Sequence, residues 1–278
     1  MAGTAQNGHT SGELLLGRTT AYPEHYDPDI LQGLPRSRQA WLGTRVEPFR
    51  GFDRWVAWEA SWLNQRGRPQ VGVAILDVPS DSPRLVESKS LKLFLNSLNS
   101  SRFGRVQDYA AVVERDVSAV LGAPVGVRVL DIREADALAI RPAPGVDLDV
   151  EDVDPPRHAC DADLLRNDGD GVLTETVHSN LLRSLCPVTG QPDWGTLVVS
   201  YRGQPIHHGE LLRYLISWRD HSGFHEETVE RIYTDILDRC APRELTVTGH
   251  YLRRGGIDIT PVRSNGAVPQ ELVRLSRQ

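Results

Sequence analysis

The stretch Cys186-Pro-Val-Thr-Gly-Gln-Pro-Asp193 sets one of the chain's three cysteines seven residues before a carboxylate, with two prolines, a threonine and a glycine between them. That composition makes a stiff turn rather than a helix or a strand. A thiol on a rigid turn with a carboxyl at the other end can serve as a nucleophile with its proton-transfer partner. The plainer reading is a half-buried cysteine at a strand entrance, with Asp193 as a turn residue. The first half of the chain carries a different charged stretch, Val86-Glu-Ser-Lys-Ser-Leu-Lys92. Lys89 and Lys92 suit phosphates, or simply a solvated helix edge. Glu226 reads by itself as a first-turn acid favoured by the helix dipole, His225 as a surface histidine and Phe224 as packing beside a helix start.

The elements that must hold these groups belong to an ordinary globular chain of 278 residues, 40% hydrophobic and 24% charged. A net charge of −6 argues against a general nucleic-acid binder. Three cysteines without paired spacing make a disulfide framework improbable, and no CxxC or HExxH occurs among them or the nine histidines, so no metal is expected. The acids Asp147, Asp149, Glu151, Asp152 and Asp154 lack the glycine and closing glutamate of a calcium loop. No apolar run nears twenty residues, and the N-terminus reads as no targeting segment. A cytoplasmic protein with reduced thiols is expected.

Residues 1 to about 12 are rich in small polar types and are expected to be disordered; Leu14 to Pro48 reads as an extended surface arm. Strands are predicted at Trp55–Ala60, Val71–Val78 and Val125–Ile132, and helices at Leu91–Leu98 and Asp108–Leu121. The second half repeats this order. Gly190-Gln-Pro-Asp193 echoes Gly67-Arg-Pro-Gln70; the strand Gly195–Tyr201 and helix Leu211–Trp218 follow. Val229-Glu-Arg231 echoes Val113-Glu-Arg115, and Ala241-Pro242 echoes Ala123-Pro124 before a strand at Leu245–Leu252. We infer a duplicated ββαα unit with one strand after the helices. The spacing makes Cys240 a core residue. In this alignment Leu63 stands where Cys186 stands and Gln70 where Asp193 stands, so only the second copy carries the reactive pair. The boundaries read as an arm over 1–48, a first module over 49–145, an acidic solvated segment over 146–170 and a second module over 171–278.

Together Glu87–Phe94, Cys186–Asp193, Phe224–Glu226, Arg253–Asp258 and Leu31–Arg36 resemble the QueF family of NADPH-dependent nitrile reductases, in its long two-module form. That family converts 7-cyano-7-deazaguanine to 7-aminomethyl-7-deazaguanine in queuosine biosynthesis, a tRNA modification. The resemblance implies an α+β tunnelling fold, in which two tandem modules of antiparallel sheet carry helices on one face and homodimers or larger assemblies close the sheets. It makes Cys186 the nucleophile on the nitrile carbon, giving a covalent thioimide, and Asp193 the general acid, with His225 near the transferred hydride. Val86, Glu87, Ser88, Phe224, His225 and Glu226 are implied around the deazaguanine. Ser88, Lys89, Lys92, Arg254 and Gly255 are implied around NADPH, consumed twice per turnover as co-substrate. The family uses no Rossmann fingerprint, and none is present here. A relative that forms amidines would have no use for the cofactor signature, a cyclohydrolase-like enzyme would need zinc ligands, and a non-catalytic purine-binding protein would give no reason for Cys186 and Asp193 together. No direct contact with nucleic acid or membrane is implied.

Overall fold

The computed structural model describes residues 22–42, 48–134, 139–156 and 158–278. The polar segment 1 to 12 and the start of the arm lie outside the described residues. In chain order the elements are β1 (Gly33–Pro35), α1 (Gln39–Leu42), β2 (Arg50–Leu63), β3 (Pro69–Pro79), β4 (Arg84–Val86), α2 (Ser88–Ser97), α3 (Val106–Leu121) and β5 (Gly126–Asp131). There follow β6 (Val146–Asp147), β7 (Leu173–Ser179), β8 (Arg183–Leu185), β9 (Pro192–Gly203), α4 (His208–Ile216), α5 (His225–Cys240), β10 (Glu244–Tyr251) and β11 (Ile257–Ser264).

One sheet runs β5-β3-β2-β11-β10-β9-β7-β6, with β8 also on β9. Its pairings are antiparallel except for β6 on β7. The period-two alternation of the strands decides what lies on each face. Trp55, Ala57, Ala60, Trp62, Ala74, Leu76 and Val78 turn one way and pack with Leu91, Phe94, Tyr109, Val113 and Val117 of the helices. Val56, Val73 and Ile75 turn the other way and form a small cluster with Trp58 and Leu130. All four long helices therefore cover a single face, as expected for two tandem α+β modules. Burial of each such aliphatic side chain contributes on the order of 2 kcal/mol. The second module's helix lies close to its sheet: a Cβ at Gly249 would come 2.6 Å from Val229 Cγ2, so the contact of α5 with β10 needs glycine there.

The two modules meet along β2 and β11, paired from Ile257↔Ala57 to Ser264↔Arg50. Neither β11 nor β7 is legible as a strand in the sequence. In β11 the residues Asp258, Thr260, Pro261 and Arg263 break the apolar pattern, although every residue of the strand is buried. Pro261 has no N–H to donate, and the β10–β11 ladder stops one position short of it, at Thr248↔Val262. Beyond that point Gln278 occupies the gap, bonding His250, Asp258 and Thr260.

The arm is not confined to the surface, contrary to expectation. Leu31 is in the core, and β1 pairs with β4. Arg36 reaches Asp53 of β2 at 2.6 Å, and Arg38 reaches Glu230 of α5 at 2.8 Å. Arg263 of β11 binds both acids, at 2.7 Å and 2.6 Å. Both acids and Arg263 are buried, so partial removal of this cluster leaves charges without solvent or partner. The acidic segment also touches the body, with Leu148 and Leu165 in the core and Asp149 accepting from Ser179 and Asn180.

Candidate active site

Cys186 leaves the end of β8 and starts the turn into β9. Its backbone N–H donates to Gln191 O at 2.8 Å, and its carbonyl accepts from Gly190 N at 2.9 Å, where Gly190 takes the left-handed φ of 67°. The first-module turn between β2 and β3 has the same plan: Asn64 N–H to Arg68 O and Gly67 N–H to Asn64 O, each 2.9 Å. The residue matching Cys186 is therefore Asn64, not Leu63. In register terms Leu63 opposes Pro69 as Leu185 opposes Pro192, and Gln70 matches Asp193 as expected.

Asp193, at the start of β9, is almost wholly buried and lies between His225 and Arg254. Its Oδ1 accepts from Arg254 Nη1 at 2.5 Å, and its Oδ2 is 3.5 Å from His225 Nε2. Burial pushes the Asp193 carboxyl up, but the hydrogen bonds and charges of His225 and Arg254 outweigh it and hold the carboxyl below its ordinary value. His225 opens α5 and its ring packs on Tyr251, centroids 4.1 Å apart. Arg254 also donates to Gln191 in the cysteine turn.

The first module supplies the opposite wall. Glu87 caps α2, its two carboxylate oxygens accepting from Lys89 N at 2.9 Å and Ser90 N at 2.7 Å. Each oxygen retains lone-pair capacity for a further donor. Val86 is buried before it; Ser88 and Lys89 form the half-buried first turn. Lys92, one turn on, lies among Arg254, Glu87, Asp193 and Cys186; desolvation and Arg254 push its ammonium down while the three acidic groups oppose the shift. The sequence-predicted residues of four separate stretches thus converge through the thiol, Asp193 and Lys92.

Phe224 precedes α5 and its carbonyl accepts from Thr228 N. Glu226, in the first turn, is buried, and burial together with the charge of Asp53 pushes its carboxyl up to about 8, against Arg36 and Arg263. Cys160 and Cys240 are pushed by burial to about 11 and lie apart from these groups. Sequence reasoning missed Gln191, Tyr251 and the Arg36–Asp53–Arg263–Glu230 cluster. Asp53 and Arg263 fall at core-facing strand positions, and a charge at such a parity was the available signal.

A cofactor site is tested by the loop after β10. Gly255 and Gly256 take φ of 58° and 81°, and a Cβ at Gly255 would lie 3.3 Å from the Lys92 side chain. This leaves bare backbone beside Lys92 and Arg254, a cradle suited to a phosphate.

Residues 22–129 match the family of nitrile reductase, 7-cyano-7-deazaguanine-reductase N-terminal domains, and residues 192–270 match the QueF-like protein family. The NADPH-dependent 7-cyano-7-deazaguanine reductase of Hydrogenovibrio crunogenus is 46% identical over 97% of this chain and 98% of its own length. That of Chromohalobacter salexigens is 46% identical over 95% and 96%. The crystal structure of the archaeosine synthase QueF-Like in the apo form overlaps 37% of this chain and 100% of its own, with a TM-score of 0.31 and 19% identity. With relatives this similar over nearly its whole length, this chain belongs to the family of NADPH-dependent 7-cyano-7-deazaguanine reductases.

Proposed function

We propose that the protein reduces the nitrile of 7-cyano-7-deazaguanine to the aminomethyl group through a thioimide on Cys186. The observation that carries the reading is the joining of thiol and acid by one rigid turn, with the acid held between His225 and Arg254. Held ionised, Asp193 accepts the Cys186 proton; the thiolate adds to the nitrile carbon; Asp193 returns that proton to the nitrogen. NADPH supplies hydride to that carbon, twice in succession. Asp193 provides a proton at the nitrogen for each reduction, and His225 borders the reacting carbon. The C–S bond breaks after the first reduction, and sulfur leaves as the thiolate.

Glu87 and Glu226 accept from the N–H groups of the deazaguanine, with Val86, Ser88, Phe224 and His225 lining the ring. Lys89, Lys92, Arg254 and Gly255, with Ser88, hold the cofactor's phosphates and ribose. Copies of this chain assemble into a homodimer or larger ring in this reading, checked by light scattering. Three free thiols suit a reducing cytoplasm.

Intact-protein mass spectrometry with the nitrile and no NADPH tests the reading. The wild type should gain one adduct, which NADPH then removes, and Cys186→Ala should gain none; absence of any adduct would withdraw it. Asp193→Asn should slow adduct formation by about 10² to 10⁴, and a normal rate would remove Asp193 as the proton carrier.

A further inference from the structure

Arg254 makes two bonds on the thiol side of the site, to Asp193 and to Gln191. Those partners come from β9 and from the cysteine turn, whereas Arg254 stands on the loop between β10 and β11. Its side chain is 29% exposed while that of Asp193 is 3% exposed, so one flank of the guanidinium faces outward. It is followed by two glycines in left-handed conformations, the backbone that forms the phosphate cradle. A planar guanidinium can engage a carboxylate or a phosphate with two parallel bonds, but not both with its same edge. The same group is thus placed at the acid and beside the cradle.

We infer that Arg254 is shared in exchange: it binds Asp193 in the cofactor-free protein and moves to a cofactor phosphate when NADP(H) binds. This rests on the cofactor assignment of Arg254 in the proposed function. The exchange gives Asp193 two states suited to its two tasks. With Arg254 on it, the carboxylate takes the Cys186 proton. After the nitrogen has received that proton, Asp193 is ionised again and needs a proton from solvent before the first hydride arrives. Departure of Arg254 to the phosphate removes one of the cations holding it ionised. The groups that remain around it are His225 from α5, Lys92 from α2 and Tyr251 from β10, with Cys186 among the surroundings of Lys92. No covalent change accompanies the exchange. Arg254 acts through Asp193 and is a positioning residue there.

Coupling of this kind is reciprocal, so a change that loosens the hold of Asp193 on Arg254 while leaving Arg254 in place must strengthen cofactor binding. The test is a double-mutant cycle on the dissociation constant of NADP+, the oxidised form, which is bound without turnover and read by calorimetry. Arg254→Gln should weaken NADP+. Asp193→Asn, which keeps size but removes charge, should tighten NADP+ by about tenfold. In the Arg254→Gln background, Asp193→Asn should change nothing. If Asp193→Asn tightens NADP+ equally in both backgrounds, simple repulsion between carboxylate and phosphate is the cause and the exchange is overturned. If Asp193→Asn fails to tighten it while Arg254→Gln weakens it, the exchange is overturned and the cofactor assignment stands. If Arg254→Gln leaves NADP+ affinity unchanged, the assignment of Arg254 to the cofactor falls, and the exchange with it.

Discussion

The chain turns from β2 to β3 through residues 64–68 and from β8 to β9 through residues 186–191, using one hydrogen-bond plan twice. In the first turn the position after the outgoing strand is Asn64, whose side-chain oxygen accepts from Arg66 and Arg68 N–H and so closes the turn on itself. In the second it is Cys186, which has no such local bond to make. The position that follows on the next strand is Gln70 in one and Asp193 in the other. The first, half-buried, bonds its own strand's backbone; the second is buried between His225 and Arg254. The two turns differ less in plan than in what other elements bring to them: His225 and Arg254 reach Asp193 in the second, while Glu87 and Lys92 of the first module stand on the same side as Arg254.

The comparison breaks most readily at the tip. Cys186→Ala should abolish turnover completely, and adding Asn64→Cys with Gln70→Asp to that variant should not restore an adduct, because the guanidinium over the first turn, Arg102, donates to the backbone of Gln65 and not to the side chain at position 70. Any adduct found by mass spectrometry on the first module would show that turn geometry alone suffices.

A second contrast lies in the repeated Val-Glu-Arg triplet. Val113 is the eighth residue of α3 and Val229 the fifth of α5, so the triplets are out of step by almost one turn. Glu114 is consequently exposed, and Glu230 is buried against Arg36, Arg38 and Arg263. Glu230→Ala should cost about 3–5 kcal/mol in denaturant unfolding, since it strands buried guanidinium groups. Glu114→Ala should stay within about 0.5 kcal/mol. Equal losses would mean that the buried cluster does not bind the modules together.

Glu226 has no acidic counterpart in the first turn of α3 beyond the exposed Asp108, and its carboxyl is raised to about 8. The folded state therefore holds a proton that the unfolded chain releases above its ordinary carboxyl range. Sign follows: stability falls as pH rises from about 4.3 to 8. Asp193 works in the other direction, losing its contribution as pH falls through its depressed value. Glu226→Gln should flatten the decline on the alkaline side in thermal melts of the ligand-free protein; an unchanged slope would assign it elsewhere.

The smallest effect is at the helix ends. Both long helices finish on a left-handed residue, Gly122 in the first module at φ 69° and Ala241 in the second at φ 46°. A Cβ is disfavoured in that conformation, so Ala241→Gly should stabilise by about 1 kcal/mol. Gly122→Ala should lose about as much; the same sign for both would show that packing outweighs the backbone term.

Much of this was legible in the sequence because it is local. The cysteine turn announced itself by proline and glycine, the helices by their spacing, and the duplication by its echoes. The alignment of Leu63 with Cys186 failed for an equally local reason. Both lie six residues before a proline, but the second turn holds one residue more, and only the strand register shows where each ladder ends. β11 escaped notice because its polar residues are buried by partners far along the chain.

The helices, most of the strands and their apolar faces were determined by residue types and spacings alone, since propensity and amphipathic period act over a few residues, and Cys186 and Asp193 were singled out by the turn that joins them. Which acid is ionised, which cation serves it and which charged side chains are buried was decided only by the fold. Asp193 and Arg254 stand 61 positions apart, and Arg36 and Glu230 stand 194 apart. Desolvation and charge pairing depend on distance in space, and the β2–β11 seam that sets those distances is a long-range pairing that no window of sequence contains.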